Sequence, residues 1–177
     1  MRKVIKFGLS TKEIRSAIDA VELYKENFQR KVDTYRKRIA EEIAVYAQVY
    51  FDSSIMDDAI DGSSRTPDVE VDWSDDGTIS VVVADGKDAV FCEFGAGVYH
   101  NGSVGSSPHP YGNALGFTIG SYGEGRGRQQ VWGYYTDPVN KTGLVLTHGT
   151  PASMPMYNAA MEVLRKSVEI AREVFGQ

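Results

Sequence analysis

The chain has 177 residues, 42% of them hydrophobic, with 24 Asp and Glu against 19 Lys and Arg for a formal net charge of -5. That length fits a single domain, 1–177, with enough apolar side chains for a core, and the lone Cys92 excludes an internal disulfide. No stretch approaches the ~20 apolar residues of a membrane span, and no long apolar run follows the basic start Met1-Arg2-Lys3, so a soluble, cytoplasmic chain with no membrane partner is expected.

The charge is unevenly placed: residues 1–50 sum to +4, 51–93 to -10 and 94–177 to +1. Opposed segments of this kind suit contacts between neighbouring copies, as well as plain solvated faces. Val4, Ile5 and Phe7 read as a short strand ended by Gly8. Ser10-Thr11-Lys12-Glu13 then has the form of a capping box at a helix start. From residue 9 to residue 61 there is neither Gly nor Pro, and Ile14, Ile18, Val21, Phe28, Val32, Tyr35, Ile39, Ile43, Tyr46 and Tyr50 recur at helical spacing. Residues 1–56 are therefore mainly helical, as one helix of about 40 residues or as two broken near Asp33. A break or bend is expected, because a domain of this size is hard to wrap around so long a rod. The basic run Arg36-Lys37-Arg38 lies here, as a solvated face or a weak nucleic-acid contact.

Asp52 to Asp68 is polar, and its acids Asp57, Asp58 and Asp61 lack the alternating ligands and closing Glu of a calcium loop. Asp68-Val69-Glu70-Val71-Asp72-Trp73 alternates strictly, so Val69, Val71 and Trp73 should face the helices and the acids the outside. Asp76-Gly77 and Asp85-Gly86 are hairpin signals that place further strands at Ile79–Ala84 and Ala89–Phe94. Another strand is expected at Val131–Thr136, giving an antiparallel sheet of about four strands over residues 68–136. The last element, 154–175, is a helix with Pro155 in its first turn and Tyr157, Ala160, Met161, Leu164, Val168, Ala171 and Phe175 on the apolar face meant to pack on the sheet. This order of elements is α+β: amino-terminal helices and a carboxy-terminal helix on one antiparallel sheet, interrupted by a long Gly-rich loop, 97–130.

Residues 95–149 hold 13 of the 18 glycines and all three histidines but only five of the 43 charged residues. His100, His109 and His148 are the candidates for a zinc site, though none sits in a His-Glu-x-x-His helix. Cys92 with a histidine is a candidate nucleophilic pair, against the commoner role of a small buried thiol. Gly120 to Arg128 lacks the Gly-Lys-Ser/Thr ending of a phosphate loop, which leaves Arg126 and Arg128 as solvated arginines or weak phosphate contacts. No set of catalytic residues, metal ligands or cofactor contacts emerges, so the expectation is a chain that is not an enzyme. The competing classes are a metal-dependent hydrolase using the loop histidines and a weak nucleic-acid-binding module.

The order of motifs in the second half is more telling. Glu93-Phe94-Gly95, a glycine-rich crossing, Trp132-Gly133-Tyr134-Tyr135, and Thr147-His148-Gly149-Thr150-Pro151-Ala152 lead through Pro155-Met156-Tyr157 and Ala159-Ala160 into an amphipathic helix. This series resembles the tail-component proteins of long-tailed bacteriophages and prophages, the small neck or tail-completion (head-tail joining) proteins encoded between capsid and tail genes. The resemblance covers about Val69 to Phe175, and the crossing from Gly97 to Gln130 departs from it in length. It implies a structural protein of the virion, present in the host cytoplasm during assembly, that forms a homo-oligomeric ring at the head-tail junction. The implied partners are other neck and tail proteins and, through non-specific contacts, the DNA passing through the ring.

Overall fold

A computed structural model of the chain describes residues 8–54, 66–86, 89–95, 97, 108–112, 114–116 and 129–176. Their elements are α1 (Thr11–Ser53), β1 (Asp68–Trp73), β2 (Ser80–Asp85), α2 (Ala89–Phe94), β3 (Trp132–Asp137), β4 (Thr142–Thr147) and α3 (Pro155–Phe175), an α+β set. The strand expected at Val4–Phe7, the acids Asp57, Asp58 and Asp61, His100, Arg126, Arg128 and most of loop 97–130 lie outside the described residues.

α1 starts at its capping box. The Ser10 hydroxyl accepts from the Glu13 N–H at 3.3 Å, and the Glu13 carboxylate accepts from the Ser10 N–H at 3.3 Å. The break expected near Asp33 does not occur: α1 is one helix of 43 residues, about 65 Å long. Asp33 is an ordinary surface residue there, accepting from Gln29 Nε2 at 3.2 Å and lying 3.9 Å from Arg36 Nη2. The rod is accommodated because the rest of the chain does not wrap it. α3 runs antiparallel along only its second half, from Ser153 Oγ, 2.8 Å from Ser54 Oγ, to the Phe175 carbonyl, which accepts from Lys31 Nζ at 3.4 Å. Residues 11–27 of α1 run on past the end of α3, with Ile18, Val21 and Tyr24 all about half exposed.

The core lies along α1, where Ala40, Ala44, Ala47 and Phe51 are buried, as are Ala159, Val163 and Ile170 of α3. Two expectations for α3 are corrected here. It packs on α1 rather than on a sheet, and its buried stripe is Ala159, Val163 and Ile170, while Leu164 and Val168 stay exposed. α3 carries apolar side chains on more than one side, so helical spacing fits two faces, and the alanine surface of α1 selects between them.

β1 and β2 pair antiparallel, with Val69 opposite Ala84, Val71 opposite Val82 and Trp73 opposite Ser80. The expected alternation holds at Val69 and Val71, half-buried against exposed Asp68, Glu70 and Asp72, but Trp73 remains 41% exposed. Its ring lies at the sheet margin with Lys37 Nζ 5.8 Å from the centroid. In the β1–β2 connection the Asp76 carboxylate accepts from Ser74 Oγ, Thr78 N and Thr78 Oγ1. These hydrogen bonds, that from Ser74 first, lower its pKa from 3.8 to about 2.

The third strand of the expected meander is instead a helix. Asp85-Gly86 does not close a two-residue hairpin; the Gly86 carbonyl accepts from Ala89 N at 3.2 Å and α2 follows. Helical spacing turns Ala89 and Cys92 together onto Phe51. Among the described residues the strands form two two-stranded sheets, β1–β2 and β3–β4, in place of the single four-stranded sheet expected. β3 is the strand expected near Val131–Thr136, and its partner β4 was not foreseen. Gly143, the second residue of β4, sits at φ +69, a left-handed conformation that favours glycine, with Thr136 Oγ1 2.1 Å from where a Cβ would lie.

Two outcomes follow from these placements. Phe51→Ala, at 2% exposure, should cost about 3–5 kcal/mol, and Trp73→Ala only about 1–2 kcal/mol, in urea denaturation; equal losses would contradict the marginal seat of Trp73. The contribution of ionised Asp76 is fully present above 3.8 and disappears as pH falls through about 2. An NMR titration of its carboxyl carbon should show the lower midpoint, whereas one near 3.8 would mean the turn hydrogen bonds are absent.

Candidate functional site

α3 begins without a cap of its own. Met154, its N-cap residue, is left-handed at φ 55 and ψ 47 and makes no side-chain cap hydrogen bond. The cap comes from α2. The Glu93 carboxylate accepts from Met156 N at 2.8 Å and from Tyr157 N at 3.0 Å, placing a negative charge at the positive end of the α3 dipole. His109 Nε2 lies 2.9 Å from Glu93 Oε1, and His109 Nδ1 accepts from Tyr111 N at 3.1 Å. With Nδ1 accepting, Nε2 carries the hydrogen and donates to the carboxylate. Glu93 and His109 are each only 7% exposed. The rings of Phe94, Tyr157 and Tyr111 surround the imidazole at centroid distances of 4.5, 5.3 and 5.8 Å.

The backbone is fitted to this contact. Gly95, at φ +78, passes so close to the segment before α3 that a Cβ would sit 3.0 Å from Ala152 N. The Cys92 carbonyl accepts from Ser153 N at 2.9 Å and from Ser153 Oγ at 3.2 Å. Glu93-Phe94-Gly95 and Pro151 to Tyr157, far apart in sequence, thus form one junction. Chemically it is a clamp: each Glu93 oxygen is engaged by a helix N–H, and the imidazole hydrogen points at the same carboxylate rather than at a cleft.

The two candidate histidines among the described residues are placed apart from any metal-ligand group. His109 is committed to Glu93, His148 is exposed with Nδ1 2.9 Å from the Gln130 carbonyl, and His100 lies outside the described residues. Among the described residues no group of three or more His, Cys, Asp and Glu is placed to hold a metal ion. Cys92 sits in a helix rather than a strand and is buried beside Phe51 and Ala89, the small-thiol role. Two members of the basic run are used within the chain: Lys37 over Trp73, and Arg38 paired with Glu42 and Glu173. Sequence reasoning gave Glu93 no role; the available signal was a lone carboxylate inside the apolar run Ala89–Phe94.

Comparison of the chain with protein-family models, with curated proteins and with solved structures finds no match. Among the described residues no helix is long and apolar enough to cross a membrane.

Glu93→Ala leaves three donors, one buried and two part-buried, without their acceptor and should cost about 3 kcal/mol or more, while Glu93→Gln, which keeps an oxygen but loses the charge, should cost about 1–2 kcal/mol. Urea denaturation gives both values, and amide exchange at Met156 and Tyr157 should accelerate in the Ala variant. A neutral Glu93→Ala would remove the clamp from the account of the fold.

Proposed function

We propose that this chain is a structural component of a phage virion, a head-tail connector or tail-completion (neck) protein that assembles as a ring at the head-tail junction. The observation that carries the reading is the Glu93 clamp. The resemblance rests on a series of motifs, and two of them, Glu93-Phe94-Gly95 and the segment leading through Pro155-Met156-Tyr157, meet in the fold, carboxylate to helix amides. A second feature points the same way: an apolar stripe on the first turns of α1 that α3 does not reach suits a chain completed by neighbours.

In this reading the partners are other copies of the chain, further neck and tail proteins, and DNA threading the ring with non-specific contacts to its wall. The chain resides in the host cytoplasm during assembly and in the virion afterwards. No observation favours the hydrolase, whose histidine at position 109 is already spent on Glu93.

The test is genetic and biochemical. Disrupting the gene in its phage or induced prophage should leave filled heads and complete tails unjoined under the electron microscope, and purified protein added to that lysate should restore infectious particles. Joined, infectious particles formed without the protein would overturn the reading.

A further inference from the structure

A groove of about 420 Å³ lies between β2 and α3 with α1 as its floor, lined mainly by apolar side chains that include Val82, Val163 and Leu164. Two polar side chains that line it carry buried atoms without a hydrogen-bond partner: Nε and Nη1 of Arg36, and Oγ of Ser80. The one ion pair of Arg36 is long, 3.9 Å from Nη2 to Asp33. Two buried guanidinium nitrogens without acceptors are costly, so the groove calls for an acceptor, and a carboxylate, which takes a charge-assisted hydrogen bond from either nitrogen, answers it best.

The same chain carries the complement. On the part of α1 that α3 does not cover, Ile14, Ile18 and Val21 are 39%, 52% and 54% exposed. They belong to the same helically spaced series as Val32, Ile39 and Ile43, which line the groove. Glu22 lies beside them, four residues on from Ile18, and makes no ion pair among the described residues. Since α1 is one unbroken helix, Glu22 stands about 21 Å from Arg36 along the axis, and the two cannot meet within one chain.

We propose that the groove seats the α1 stripe of a second copy, with Ile18 and Val21 against Val82 and Leu164 and the Glu22 carboxylate on the Arg36 guanidinium. The occupant is a second copy because both unpartnered surfaces, one offering an acceptor and the other demanding it, belong to this chain. Leu164 and Val168, 62% and 59% exposed, extend the seat along α3. The contact is heterologous: each copy gives one helix and one groove, and such contacts close into a ring when the rotation per copy allows. This deepens the proposed function and rests on its reading of the chain as a self-assembling component.

Charge exchange tests it. In light scattering up to millimolar concentration the unaltered chain should associate, and Glu22→Arg and Arg36→Glu should each weaken association about tenfold or more by setting like charges together. The double variant should recover, and so should an equimolar mixture of the two single variants, in which each groove meets a helix of opposite charge. A variant that had merely unfolded would not recover on mixing, and circular dichroism of each single variant checks the fold directly. A strict monomer, single variants that associate like the unaltered chain, or losses that neither combination reverses would each overturn the contact. Whether the same protein still joins heads to tails in the lysate is read separately, so failure here and failure of the virion reading are distinguishable.

Discussion

The first backbone N–H groups of a helix have no partner inside it, and α3 has no capping side chain of its own. Glu93 supplies the acceptor from 63 and 64 residues earlier in the chain. Much else follows from that contact. α2 must be helical for Glu93 to face α3 while Cys92 faces Phe51, Gly95 must lack a side chain for the backbone to pass Ala152, and Met154 must tolerate a left-handed turn to aim α3. His109 gives the carboxylate a third donor, and with it the buried charge is satisfied on both oxygens.

How far the fold was legible depended on whether the determining contact was local. The α1 start was readable because Ser10 and Glu13 cap each other within one turn, and the α3 limits because Pro155 suits a first turn. α2 was misread because a six-residue apolar run fits strand and helix alike, and its partners, Phe51 and the α3 amides, are remote in sequence. The buried face of α3 was misjudged for the same reason. At the candidate site His109 was noticed as a possible ligand, but its partner Glu93 was not, since nothing local marks a carboxylate that caps a distant helix.

The break expected in α1 came from reasoning about wrapping, and the structure removes its premise. α1 and α3 pack against each other over the length of α3 only, with Ala40, Ala44 and Ala47 of α1 and Ala159 and Val163 of α3 buried. The rest of α1 is left as an extension. A sheet packed on both sides of such a rod would have required a bend; a hairpin, β1–β2, placed on one part of it does not. Gln48 fixes that hairpin to the helix, its Oε1 accepting from Val69 N at 2.9 Å and its Nε2 donating to the Pro67 carbonyl at 3.1 Å.

An isolated helix as short as residues 11–27 is marginal in water, because nucleation is costly and each added residue gains little. Here the nucleus already exists: the segment is continuous with a stretch held by α3 and β1–β2, and its free end is closed by the Ser10 and Glu13 capping box. Propagation from a packed helix toward a capped end keeps it helical without a partner of its own. The arrangement presents an apolar stripe on a stiff support about 25 Å long, at the cost of leaving Ile18 and Val21 half in water. Stiffness lowers the ordering entropy lost when that stripe is covered, so a contact of modest area can still bind. A flexible arm with the same residues would lose more freedom on docking and would hold its neighbour at no fixed angle. In the ring proposed for this chain the angle decides closure, and an unbroken α1 sets it.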